Sequence, residues 1–222
     1  MRQLHLPMRI WDAPTRLFHW ALVILVFLCW LTHYKTWTEL HFLSGYAVLA
    51  LLLFRVVWGV IGSDTARFTQ FLKNPLEALR HLSHLHRREP DLEVGHNAAG
   101  GWMVVVILLM LLAQVTTGLF NNTDDISEDG PLARFVGREN SNWFGHLHAL
   151  NFKLIQLVIL AHVSAIVLYF VLKGHNLVRP MITGKKRMPG AMPAPRMVHP
   201  VLALIVLAVA AGAVALFVRL VS

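Results

Sequence analysis

The chain has 222 residues, of which 56% are hydrophobic and only 14% are charged. This composition is too apolar for a water-soluble domain of this length, so we expect an integral membrane protein. The single cysteine, Cys29, excludes disulfide frameworks and thiolate metal clusters.

Five apolar stretches approach the length of about 20 residues that a helix needs to cross a bilayer. The first carries no small-residue cleavage site, so we expect it to remain in the mature protein. The sequence therefore predicts an all-α integral membrane protein with five spans, at 17–34, 41–61, 98–120, 147–172 and 200–220.

The residues before the first span have the chemistry of a helix start. In the segment RIWDAPTRLFHW, Asp12 suits the N-cap and Pro14 suits the first turn. The short connection KTWTEL then makes the first two spans antiparallel neighbours.

The connection 62–96 contains NPLEALRHLSHLHRR, in which leucines recur at helical spacing among basic residues. This pattern predicts an amphipathic helix that lies against anionic lipid headgroups. Its three histidines, His81, His84 and His86, are more typical of a solvated surface than of a metal site.

The connection between the third and fourth spans is acidic. Such a loop can steer a positively charged soluble partner, and it is equally the ordinary composition of the membrane side that lacks Lys and Arg. Its acidic residues are Asp124, Asp125, Glu128, Asp129 and Glu139.

The segment 174–196 is basic and rich in Pro and Gly. This composition predicts a linker rather than a packed domain. The last span has no polar side chain in its interior, so we expect a helix that packs or anchors.

The formal net charge of +8 is distributed unevenly along the chain. Fourteen Lys and Arg residues precede the first span, separate the second from the third, or follow the fourth, and only four lie on the other side. The positive-inside rule then places the N-terminus in the cytoplasm and, after five crossings, the C-terminus in the periplasm. The basic surplus is thus a topology signal, and we expect no nucleic-acid partner.

Four histidines on the predicted spans carry the functional hypothesis. An ionisable side chain within a membrane costs free energy unless it is paired, so each one is a candidate functional residue. His148 and His162 are 14 residues apart on one helix. At about 100° and about 1.5 Å per residue, their rings lie within about 40° of one face and about 21 Å apart. The topology places His41 at the depth of His148, and His19 at the depth of His162.

Two facing imidazoles are the ligand set of a six-coordinate b-type haem, which favours electron transfer because no iron position is left for oxygen. The two depth-matched pairs therefore predict two haem b groups, one near each side of the membrane. The alternative is that each histidine donates to a backbone carbonyl and fixes helix packing.

Several neighbouring residues fit this hypothesis. Gly45 and Gly118 either let a flat cofactor approach the backbone or serve helix packing. Arg55 either pairs with a haem propionate or snorkels to the interface.

His146 competes with His148 as a ligand, but its 16-residue spacing from His162 turns its ring about 160° away. Four further histidines at span ends are unassigned, namely His33, His96, His175 and His199.

Several segments together resemble the prokaryotic cytochrome b561 family, which includes the b-type cytochrome subunits of nickel-iron hydrogenases. They are RIWDAPTRLFHW, LHFLSGYAVLALLLFRVVWG, GHNAAGGWMVVVILLMLLAQVTTGLF, HALNFKLIQLVILAHVSAIVLY and GHNLVRPMITGKKR. The resemblance implies a four-helix transmembrane diheme bundle over residues 1–188, with 189–222 as a linker and a fifth C-terminal transmembrane helix.

By position, the resemblance assigns His19 and His162 to the cytoplasmic-side haem and His41 and His148 to the external-side haem. It also matches Arg55 to the basic residue of the second helix. Ala149 stands where the family usually has an acidic residue, which weakens inference about quinone or proton chemistry there.

The leading hypothesis is a cytochrome b of the bacterial inner membrane that exchanges electrons between quinones and a periplasmic or membrane-attached partner, such as a c-type cytochrome. A second hypothesis is the membrane anchor of a hydrogenase or other dehydrogenase, and it is open whether the chain is a subunit of a quinone-linked oxidoreductase. From another class, a histidine-lined metal transporter is disfavoured because the span interiors lack Asp and Glu.

Overall fold

The computed structural model describes residues 5–83, 92–122, 129–190 and 192–221. His84, His86, Asp124, Asp125 and Glu128 lie outside these ranges. The helices are α1 Ala13–Tyr34, α2 Thr38–Ile61, α3 Phe68–Phe71, α4 Pro75–Ser83, α5 Ala98–Leu119, α6 Arg138–Leu168 with a π-helical turn Tyr169–Lys173, α7 Val178–Thr183 and α8 Pro200–Val221. The two strands are β1 His5–Arg9 and β2 Lys185–Pro189.

Five of these helices are long and apolar enough to cross a membrane: α1, α2, α5, α6 with its π turn, and α8. The prediction of an all-α membrane protein is therefore confirmed. The main difference is that α6 begins at Arg138 rather than at 147, because the polar residues before the apolar stretch continue the same helix. The amphipathic segment forms α4, on which Leu76 and Leu79 are exposed.

The chain forms two compact units. The first unit comprises residues 1–19, 55–105 and 160–204, and the second comprises 20–54, 106–159 and 205–222.

In the first unit, Asp12 joins the start of α1 to the end of α2. Its Oδ1 accepts a hydrogen bond from the Thr15 backbone N–H at 2.7 Å, which is the predicted N-cap. Its Oδ2 accepts one from the indole Nε1 of Trp58 at 3.1 Å. Asp12 is 1% exposed and Trp58 is 0% exposed, so both bonds form away from solvent.

An antiparallel ribbon of β1 and β2 also belongs to the first unit, with His5 opposite Pro189 and Arg9 opposite Lys185. The backbone N–H of Ile10 continues it by donating to Gly184 O at 2.9 Å. Gly184 has φ +77°, and a Cβ there would lie 2.9 Å from Trp11 O, so glycine suits this turn.

The segment predicted as a linker is thus more ordered than its composition indicates. It contains α7 and β2, and it continues into hydrogen bonds with the residues after α2. The backbone of Arg196 donates to Asp64 Oδ2 at 2.8 Å, and that of Val198 donates to Ser63 Oγ at 3.0 Å. The Arg196 N–H and the Arg67 guanidinium hold the pKa of Asp64 below its usual value.

In the second unit, the chain between α5 and α6 is held by short polar contacts. Ser141 donates through Oγ to Phe120 O at 2.5 Å, and Gly130 N donates to Asn121 O at 2.7 Å. Arg134 donates to the carbonyl of Val221 at 2.7 Å, which ties the end of α8 to this connection.

We expect Asp12→Ala to destabilise the first unit by about 2 kcal/mol, because α1 loses its cap and Trp58 loses a buried acceptor. Asp12→Asn keeps an oxygen for the Thr15 N–H and should cost less. Thermal unfolding in detergent measures both. Equal stability of the wild type and Asp12→Ala would contradict this role.

Candidate functional site

His41 on α2 and His148 on α6 face each other in the second unit. Their ring centres are 6.4 Å apart and their ring planes cross at 76°. Both rings line a cavity of about 420 Å³. The structure thus brings these two predicted residues together.

The ring of His41 is oriented by one backbone group and one side chain of α1. Its Nδ1 lies 2.9 Å from the carbonyl oxygen of Cys29 and 3.3 Å from Thr32 Oγ1. A carbonyl only accepts, so Nδ1 carries the proton and donates. The neutral ring therefore presents the lone pair of Nε2.

His148 has the same arrangement against α5. Its Nδ1 donates to Gln114 O at 2.9 Å, and Thr117 Oγ1 lies 3.3 Å from the same nitrogen. Its Nε2 accepts from the amide of Gln114 at 3.0 Å. That amide is itself held, because Asn151 Nδ2 donates to Gln114 Oε1 at 2.7 Å and to Met110 O at 2.9 Å.

Of the two glycines considered from the sequence, only Gly118 brings the backbone close to a histidine ring. A Cβ on Gly118 would lie 2.9 Å from Cε1 of His148, whereas one on Gly45 would meet nothing within 4 Å. Both glycines line the cavity. The competing ligand His146 is exposed and does not line this cavity.

The distance between the ring centres is compatible with a metal between two imidazoles. An imidazole nitrogen binds a transition metal at about 2 Å, which puts each ring centre about 3 Å from the metal. Two opposed ligands then have ring centres about 6 Å apart, close to the 6.4 Å between His41 and His148. Metal at Nε2 of His148 would take the place of the Gln114 amide hydrogen. A ligating histidine that donates its other N–H to a carbonyl is the usual supporting arrangement.

In the first unit, His19 and His162 share an environment with His96 and Arg55. Burial is the main cause that lowers the pKa of His96, to about 3, and the charges of Arg55, His162 and His19 lower it further. The His96 ring packs edge-on to Trp11, with centres 4.6 Å apart. His96 was unassigned from the sequence, and its place next to the predicted pair was missed.

Arg55 is 2% exposed, which does not fit snorkelling to an interface. Its guanidinium lies over the ring of Phe68, 4.7 Å from the centre, and 5.9 Å from that of Phe71. Its buried Nη1 has no hydrogen-bond partner within the described part of the chain. A buried guanidinium with a spare donor is suited to an anionic group.

A polar network ties the surface helix α4 to the π turn of the first unit. Tyr169 Oη is hydrogen bonded to His81 Nε2 and accepts from Asn97 Nδ2 at 2.9 Å. The side chain of Lys173 lies over the same ring, 5.5 Å from its centre. The expectation that His81 is merely solvated was wrong, because the ring is half-buried and bonded.

Residues 10–184 match the family model described as prokaryotic cytochrome b561. The chain belongs to the prokaryotic cytochrome b561 family. This membership makes it a multi-pass membrane b-type cytochrome that carries electrons, and it implies haem b as the cofactor.

A probable Ni/Fe-hydrogenase B-type cytochrome subunit of Bradyrhizobium diazoefficiens is similar to this cytochrome. The two are 22% identical over 211 residues, which cover 80% of this chain and 85% of the relative. No solved structure matches the chain.

Among the residues that the structure describes, no three His, Cys, Asp or Glu side chains are grouped as around a protein-bound metal ion.

We expect Gly118→Ala to lower the haem content of the purified cytochrome, because the new methyl group pushes the His148 ring out of place. Gly212→Ala on α8 is a matched control, since a Cβ there meets nothing within 4 Å. Haem b per chain, measured as the pyridine haemochrome, checks both. Unchanged haem content and unchanged spectra in Gly118→Ala would contradict the close approach.

Proposed function

We propose that this cytochrome carries electrons through two bis-histidine haems b, between the quinone pool and a periplasmic or membrane-attached redox partner. His41 and His148 would ligate one haem in the second unit, and His19 and His162 the other in the first unit. The observation that carries the proposal is that the rings of His41 and His148 face each other. In each ring the Nδ1–H donates to a backbone carbonyl.

Haem b supplies reversible one-electron chemistry at its iron. The histidines would hold the iron by Nε2, and the carbonyls of Cys29 and Gln114 keep the ring protons on Nδ1. With two histidines bound, the iron would have no position left for oxygen, which favours electron transfer.

Arg55 supports a haem in the first unit. A propionate next to Arg55 would give the spare Nη1 donor a partner and would neutralise a charge buried against Phe68 and Phe71. The alternative of snorkelling has no support from its 2% exposure.

Two redox partners are supported, each by a different observation. The acidic connection between α5 and α6 suits a positively charged c-type cytochrome. The similarity to a probable hydrogenase cytochrome subunit supports the second function, a membrane anchor and electron acceptor for a hydrogenase or other dehydrogenase.

Fourteen basic residues on one side and four on the other support insertion into the bacterial inner membrane with the N-terminus in the cytoplasm and the C-terminus in the periplasm. The match over residues 10–184 supports residues 1–188 as the cytochrome domain and 189–222 as an addition to it.

Single alanine substitutions of the four histidines should each remove one haem from a red preparation that holds two. His41→Ala and His148→Ala should remove the same haem, and His19→Ala and His162→Ala the other. Haem stoichiometry and redox titration of the remaining haem identify which is lost.

His146→Ala is the matched control for His148→Ala, because it removes an exposed imidazole two residues away. It should keep both haems. The pairing would be wrong if His41→Ala and His148→Ala left different haems behind, and a colourless protein that binds zinc would favour the transporter.

A quinol analogue should reduce the cytochrome in membrane vesicles, as followed by the haem b absorbance. Oxidation by a ferric c-type cytochrome would favour the first partner, whereas reduction by hydrogen in native membranes would favour a hydrogenase. Failure of quinols either to reduce the cytochrome or to be formed by it would contradict the link to quinones.

A further inference from the structure

Two threonines have the same relation to the two histidines of the second unit. Thr32 Oγ1 lies 3.3 Å from Nδ1 of His41, and Thr117 Oγ1 lies 3.3 Å from Nδ1 of His148. Both threonines are buried, at 3% and 8% exposure. In each case the threonine follows, by three residues, the residue whose carbonyl accepts the ring proton.

The direction of the hydrogen bonds at Thr32 follows from its other contacts. Its hydroxyl lies 2.7 Å from Leu28 O and 3.2 Å from Cys29 O, and carbonyls only accept. The hydroxyl proton is therefore used along α1, and a lone pair of Oγ1 is left for the Nδ1 proton of His41. Thr32 is a second acceptor for that proton, next to Cys29 O.

Thr117 has the same contacts on α5. Its hydroxyl lies 2.7 Å from Ala113 O and 3.0 Å from Gln114 O. The Nδ1 proton of His148 then lies between Gln114 O at 2.9 Å and Thr117 Oγ1 at 3.3 Å.

A threonine in a membrane helix often bonds only to the carbonyl four residues earlier. That role would not require the hydroxyl to meet a histidine, and here it does so on two different helices. The neighbouring Thr116, on the same helix, is exposed and serves as a control.

We propose that Thr32 and Thr117 are positioning residues that fix the ring planes of His41 and His148 and set how strongly the two rings donate electrons to the iron. The proposal rests on the proposed haem at this pair. Each additional acceptor at Nδ1 makes Nε2 more basic, which favours ferric over ferrous iron. The two threonines therefore lower the reduction potential of that haem.

The test uses the full-length cytochrome with its haems, in Thr32→Val, Thr117→Val and the double variant. We expect both haems to be retained, the midpoint potential of the haem at His41 and His148 to rise in each single variant, and the two increases to add. The other haem is an internal control and should keep its potential. The electron paramagnetic resonance spectrum should also change, because it responds to the ring planes of axial imidazoles.

Thr32→Ser and Thr117→Ser restore the hydroxyl and should return the potential to that of the wild type, while Thr116→Val should leave it unchanged. If a valine variant loses the haem, the alanine and serine variants are compared instead, and a higher potential in alanine than in serine supports the proposal. Unchanged potential and unchanged resonance spectra in the variants that lack the hydroxyls would overturn it. Failure of the proposed haem site would instead show as histidine variants that do not share one haem.

Discussion

The hydrogen bond from a histidine Nδ1 to a helix carbonyl is the interaction on which the second-unit site depends. A polar ring among membrane helices is costly unless its N–H finds an acceptor within the protein. The carbonyls of Cys29 and Gln114 supply that acceptor. The same bond fixes the tautomer, so the lone pair of each ring is on Nε2. In His148 this lone pair accepts from the Gln114 amide. Hydrogen bonding that fixes helix packing is therefore compatible with the proposed ligation, although the two stood as alternatives from the sequence.

In the first unit, Nη1 of the buried Arg55 has no hydrogen-bond partner in the ranges that the structure describes, unlike the histidine Nδ1–H groups of the second unit. Arg55 lies against aromatic faces rather than against a paired carboxylate, and the nearby Asp12 is already engaged with Thr15 and Trp58. Within the described part of the chain, Arg55 therefore has the electrostatic attraction of Asp12 but no ion pair of its own. A neutral His96 adjoins it, because burial and the surrounding positive charges disfavour a second cation there.

The spans and the histidine pair at His41 and His148 were predictable, because hydropathy and helical periodicity are local properties of the sequence. The family followed from motifs that contain the same residues. The carbonyl acceptors were not predictable, since every residue has a carbonyl and only tertiary packing selects one. Thr32 and Thr117 offered one weak signal, a polar residue inside an apolar stretch. The strand pairing of β1 with β2 was not predicted, because composition carries no information about such a distant partner.

The ribbon also has a consequence for the order in which the chain is assembled. The partners of residues 5–9 lie at 185–189, so β1 has no neighbour while α1, α2, α5 and α6 are synthesised and inserted. Closure of the first unit must follow the emergence of residue 189 from the ribosome. Asp12 and Trp58, by contrast, are brought together once α2 is complete. The first unit therefore begins with a contact between α1 and α2 and closes only after β2, more than 120 residues later in the chain, has been synthesised.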